Sequence, residues 1–160
     1  MGAVTIARPI EEIEKELDKK DIISLISCNT CVRFCGTGGI EVMNKLANRL
    51  RKDGFTVADK ILVTAACIRD YTERARKSKG ITKVIALTCE AGWISIKQAL
   101  PNITVIKANK TLGIMVVSPS KGIFKLMKTY KEYDKRKGDE FELLTGKLQK
   151  KRVLNMEVGK

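Results

Sequence analysis

The chain contains no histidine. That excludes mixed cysteine–histidine zinc sites and every mechanism that needs an imidazole as acid or base. Aromatic residues make up only 5% of the 160 residues, so few side chains can stack on nucleic-acid bases. No apolar run approaches the roughly 20 residues of a membrane-spanning helix, so no membrane span is expected. The first twenty residues lack an apolar h-region and carry Glu11, Glu12, Glu14 and Glu16, unlike a secretory leader. A cytoplasmic protein is the expectation. Thiols there stay reduced, and clustered cysteines point to metal or redox chemistry before disulfides.

What is present is basic and globular. The hydrophobic fraction is 44%, and 31 Lys and Arg stand against 18 Asp and Glu, a formal charge of +13. The length fits one domain with a core of its own. The charge favours acidic partners, either nucleic acid or an acidic protein. Lysine on solvated helix faces is the plainer explanation.

Apolar periodicity alternates between strand and helix. Ile10, Ile13 and Leu17 suggest a first helix opening at Pro9. Apolar runs follow at Asp21 to Ser27, Lys60 to Ala66, Lys83 to Thr88, Ile103 to Lys107 and Leu112 to Val117. Helical spacing separates them: Ile40 to Lys52, stopped by Asp53-Gly54; Ile68 to Lys79, with Ile68, Tyr71 and Ala75 inward; and a short helix with Trp93, Ile96 and Leu100 inward. Ser118-Pro119-Ser120 is expected to start a last helix with Ile123, Leu126, Met127 and Tyr130 aligned. The pattern predicts a single α/β domain: a mainly parallel sheet of four to five strands with helices on both faces. Residues 1–135 form that domain, and Arg136 to Lys160 reads as a basic tail or docking arm.

All five cysteines fall where loops meet the carboxyl ends of these strands. Cys28, Cys67 and Cys89 each end an apolar run, and Cys31 and Cys35 follow Cys28 in one loop. Ligands of α/β sheets bind beyond that edge. One buried cysteine is ordinarily a small core hydrophobe, but here that explanation must hold five times over. Four of Cys28, Cys31, Cys35, Cys67 and Cys89 can hold a [4Fe–4S] cluster; a four-thiolate zinc site fits the count equally. The nearby Gly36, Gly38, Gly39 and Gly92 offer small residues and bare amides that could hydrogen-bond cluster sulfur, which favours the cluster. Gly36-Thr37-Gly38-Gly39 also invites a dinucleotide reading, but Cys67 stands where the ribose-binding acid belongs, and Asp59 precedes the strand. Trp93, just beyond Cys89, reads as a core aromatic.

With these motifs placed, the chain resembles the small iron–sulfur subunit of the methylenetetrahydrofolate reductases of acetogenic bacteria. Four segments carry the resemblance: Ala7-Arg8-Pro9-Ile10-Glu11-Glu12-Ile13; the cysteine loop from Cys28 through Cys31 and Cys35 to Gly38-Gly39; Cys67 with Cys89-Glu90-Ala91-Gly92; and Asn109-Lys110-Thr111-Leu112-Gly113. The resemblance implies a cluster-bearing α/β domain working beside a flavin-containing catalytic subunit. That makes the chain an accessory electron-transfer subunit of a C1 reductase, itself non-catalytic, with a flavoprotein or another acidic redox protein as partner. The family's second cysteine-rich segment has no counterpart here, because Tyr130 to Lys160 is basic and lacks cysteine. The alternative is a zinc-stabilised basic module for nucleic acid or an acidic protein, motivated by Lys147, Lys150, Lys151 and Arg152. Nucleic acid is disfavoured because the segment from Lys135 onward has only Phe141 for stacking.

Overall fold

A computed structural model describes residues 2–75 and 78–150 of the protein. Two sheets form it. The first is parallel, with strands β2 (Ile22–Cys28), β3 (Thr56–Val63), β4 (Lys83–Leu87) and β5 (Thr104–Lys107) in the order β3-β2-β4-β5. Strand β2 is buried along nearly its whole length because helices cover both faces of this sheet. Alternate residues divide between the faces. Ile23, Leu25, Ile85 and Leu87 pack with Ile13 of α1 (Ile10–Glu14) and with Met43, Ala47 and Leu50 of α3 (Gly39–Lys52). Ile26, Val84 and Ala86 pack with Ile96 and Trp93 of α5 (Glu90–Ala99). The crossovers leaving β2 and β4 run in opposite directions, so the switch point of the sheet lies between these strands. Their carboxyl ends open a crevice there.

The second sheet is antiparallel, in the order β1-β6-β7-β8-β9. It comprises β1 (Gly2–Ala7), β6 (Asn109–Ser118), β7 (Ile123–Thr129), β8 (Glu140–Glu142) and β9 (Leu148–Lys150). The chain passes into it directly from β5 through Ala108, whose amide still bonds Ala86 O. Its inner face buries Val4, Leu112, Met115, Phe124, Leu126 and Phe141 against Cys31 and Cys35 of the cysteine loop. The Phe124 and Phe141 rings stack with centroids 5.1 Å apart.

The mixed α/β class and the four parallel strands match the expectation. Several details do not. The fifth apolar run, Leu112 to Val117, lies in β6 and joins the antiparallel sheet instead of the parallel one. Strand β1 precedes the helix expected from Pro9, in a segment to which the periodicity assigns no element. The helix expected after Ser118 is a 3₁₀ turn at Pro119–Lys121 followed by strand β7, which buries alternate residues Phe124 and Leu126 and exposes Met127. Helix α4 is confined to Arg69–Glu73. Its buried residue is Thr72, bonded to Ser95, whereas Ile68 and Tyr71 point to solvent.

The segment read as a tail supplies β8 and β9 up to Lys150; residues 151–160, with Lys151 and Arg152, lie outside the described residues. Among the described residues, no helix is long and apolar enough to cross a membrane.

Candidate metal centre

Strand β2 delivers Cys28 to the switch-point crevice, and the chain then turns into α2 (Cys31–Phe34), a single helical turn. That turn sets Cys31 and Cys35 one turn apart, with the Cys35 amide bonded to Cys31 O at 3.1 Å. Cys67 follows β3 in the loop before α4. Cys89 is the N-cap of α5, immediately beyond β4. All five therefore lie at one end of the parallel sheet, as their spacing predicts. Cys28, Cys35 and Cys89 are buried, Cys31 is half-buried and Cys67 is exposed; all are free thiols.

Their surroundings differ. Cys28 Sγ accepts the Ala66 amide at 3.4 Å and lies 3.0 Å from Thr30 Oγ1. This ties the cysteine loop to the loop that carries Cys67. Burial pushes the Cys89 thiol up, the Gly92 amide pulls it down, and the charges of Cys31, Cys28 and Cys67 push it up further. Cys89 thus lies near Cys28, Cys31 and Cys67, and Cys35 lies near Cys31 and Cys89. Cys35 is turned toward the second sheet. Its Sγ accepts the Thr5 amide at 3.4 Å and donates to Ala3 O at 3.6 Å. Burial pushes its thiol up to about 11, above the ordinary 9.0, partly offset by Thr5, with Cys31 and Cys89 pushing it up further.

The Cys35 shift has a measurable consequence. Below pH about 9 the thiol is protonated in both the folded and the unfolded chain. Between the unfolded value near 9.0 and the folded value of about 11, only the unfolded chain releases the proton. Stability of the metal-free protein is therefore expected to fall across that window, by roughly 2–3 kcal/mol from this group. Urea titrations at pH 8 and 11 on the unaltered chain and Cys35→Ala check this. The pH-dependent loss should be smaller in the variant by that amount, and equal losses would contradict it.

Two structural devices hold the loop. Asn109, buried at the entry to β6, donates from Nδ2 to Thr37 O at 3.2 Å and to Thr88 O at 3.3 Å. It joins the cysteine loop to the residue before Cys89. The turn between β8 and β9 closes on the loop from the other side: the Leu144 amide bonds Phe34 O at 2.8 Å. A Cβ on Gly146 would lie 2.1 Å from Cys35 O, so only glycine permits this approach. Sequence reasoning singled out neither residue for such a role. Asn109 sat inside a quoted segment, and no local signal links Gly146 to a loop over a hundred residues earlier.

Of the glycines expected to surround the thiolates, Gly92 does reach one through its amide, that of Cys89, while Gly36, Gly38 and Gly39 do other work. The Gly39 amide donates to Ser27 Oγ at 2.8 Å, and the Gly36 amide to Arg33 O at 3.1 Å. A Cβ on Gly38 would meet Val32 Cγ2 at 2.3 Å. Gly36 and Gly38 are required by close packing, and the amides of Gly36 and Gly39 are already engaged. Trp93 is a half-buried aromatic whose Nε1 donates to Val105 O at 2.8 Å, with Lys107 Nζ 4.0 Å above the ring.

Thiolates suit a soft metal, and all five cysteines lie at one end of the parallel sheet with no imidazole to compete. Among the described residues, no three cysteine or carboxylate side chains stand at ligand spacing around one point. Clefts open on two of the thiols. One of about 310 Å³ has Cys89 in its lining with Ile114, Lys128 and Tyr130. Another of about 450 Å³ is lined by Cys31, Phe34, Met115 and Val116. No family model matches the chain, and neither does any curated protein or solved structure.

Proposed function

We propose that the protein is an accessory electron-transfer subunit that carries one [4Fe–4S] cluster for a flavin-dependent C1 reductase. The observation that carries this reading is the placement of all five free cysteines beyond the carboxyl ends of β2, β3 and β4. Cys28, Cys31, Cys67 and Cys89 are the ligands in this reading. Cys35 is left out because its sulfur is turned toward the second sheet, where the Thr5 amide and Ala3 O engage it. The cluster supplies one-electron transfer. The chain's own residues fix the thiolates, shield them on one side with the antiparallel sheet, and leave the Cys31 and Cys89 clefts open. Coordination exchanges the hydrogen bonds of Cys28 for metal bonds and releases thiol protons, so loading should weaken as pH falls. The resemblance to the small subunit of acetogen methylenetetrahydrofolate reductases supplies the partner's chemistry.

Trp93 gives a direct test, because it is the single tryptophan and lies four residues along α5 from Cys89. Anaerobic reconstitution with iron and sulfide is expected to quench its fluorescence strongly, since a cluster absorbs where tryptophan emits. Zinc absorbs nothing there and should leave the emission nearly unchanged. Quenching by zinc and iron alike, or by neither, would contradict a cluster near Cys89.

A further inference from the structure

We infer that the solvent face of the β6–β7 hairpin is the docking surface for an acidic flavoprotein, a proposal that rests on the electron-transfer reading above. Ile114 and Val116 flank the buried Met115 on β6 and both face outward, across a register shift in the pairing with β7 between Ile114 and Met115. They are 39% and 51% exposed, while Met115 between them is fully buried. Ile114 borders the Cys89 cleft and Val116 borders the Cys31 cleft. Two outward aliphatic side chains thus stand beside the openings onto two proposed cluster ligands. Phe34 and Met127, also exposed, extend the apolar surface.

The hairpin itself carries charge of one sign. Residues 109–129 contain Lys110, Lys121, Lys125 and Lys128 and no aspartate or glutamate. Lys125 is partnered by Glu140 at 3.7 Å, and Lys110 lies 3.9 Å from Glu12. Lys121 and Lys128 make no ion pair among the described residues. Glu90, in the wall of the Cys89 cleft, is held by Lys107 at 2.7 Å. An apolar centre ringed by lysines fits a protein partner whose contact patch is acidic: apolar contact gives affinity, and the lysines steer approach and register. Nucleic acid fits less well, because the centre is aliphatic.

A small acidic FMN protein of the flavodoxin type serves as probe, with zero-length carbodiimide cross-linking and equilibrium titration as readouts. Cross-links are expected at Lys121 and Lys128 and should vanish in high salt. Ile114→Glu with Val116→Glu should weaken binding about tenfold or more, as loss of a central apolar contact does. Lys121→Glu with Lys128→Glu should do the same without touching the apolar centre. Melting curves for each variant separate misfolding from lost contact. Lys45→Glu with Lys52→Glu, on α3, should leave binding unchanged. Cross-links concentrated on α3, or face variants that bind like the unaltered chain, would overturn the proposal. Iron and sulfide are assayed on the same samples. Docking at this face by protein without iron would keep the surface and reject the cluster; iron-loaded protein that docks elsewhere would do the reverse.

Discussion

Cys89→Ala is expected to reduce the iron of anaerobically reconstituted protein to a small fraction of that in the unaltered chain, while Cys35→Ala keeps most of it. The asymmetry follows from placement. Cys89 caps α5 at the end of β4, a rigid anchor, and the charges of Cys28, Cys31 and Cys67 reach it. Its removal leaves three thiolates and an open coordination position that water fills poorly. Cys35 faces the second core, where its sulfur bridges Thr5 N and Ala3 O. Losing it removes those hydrogen bonds and a little buried volume, a change of about 1–3 kcal/mol in stability. The two variants should therefore separate cleanly: one folds and binds no cluster, the other binds a cluster but melts earlier. Equal iron loss in both would show that Cys35 is a ligand, and full loading of Cys89→Ala would remove Cys89 from the site.

Asn109→Leu is expected to destabilise the protein by about 3 kcal/mol. The substitution keeps the branched outline but leaves Thr37 O and Thr88 O without their donor, and an unsatisfied buried acceptor costs on the order of 1–3 kcal/mol. For a chain of this size that corresponds to a fall in Tm of roughly 6–12 °C. The loss should be local in character, because Asn109 links the cysteine loop to the end of β4. Amide exchange is expected to accelerate at Cys35 and Thr37 more than in β3. A Tm within about 2 °C of the unaltered chain would show that the clamp contributes little to the fold.

The parallel sheet was legible because its strands are continuous apolar runs bounded by Gly and charged turns, as Ile22–Cys28 and Lys83–Leu87 illustrate. Its carboxyl ends then fixed where the cysteines would gather. The antiparallel sheet was not legible, for reasons that differ by strand. In β7, Ile123, Leu126, Met127 and Tyr130 sit at helical spacing, yet Phe124 and Leu126 also satisfy a two-residue period. Over seven residues the two periods are nearly indistinguishable. Packing against Phe141, remote in sequence, selects the strand. In β6, Leu112 to Val117 was correctly apolar, but sheet membership depends on pairing with β1, a non-local choice. For the same reason the spacing of the cysteines could not single out Cys35. Its environment is made by β1, whose Thr5 and Ala3 meet it only after the second sheet forms.

Iron, sulfide and zinc content of protein isolated without oxygen decides whether four thiolates at the switch-point crevice hold an iron–sulfur cluster, as proposed. About four iron and four sulfide per chain are expected, with broad visible absorbance that dithionite bleaches. Stoichiometric zinc with neither iron nor sulfide would contradict it.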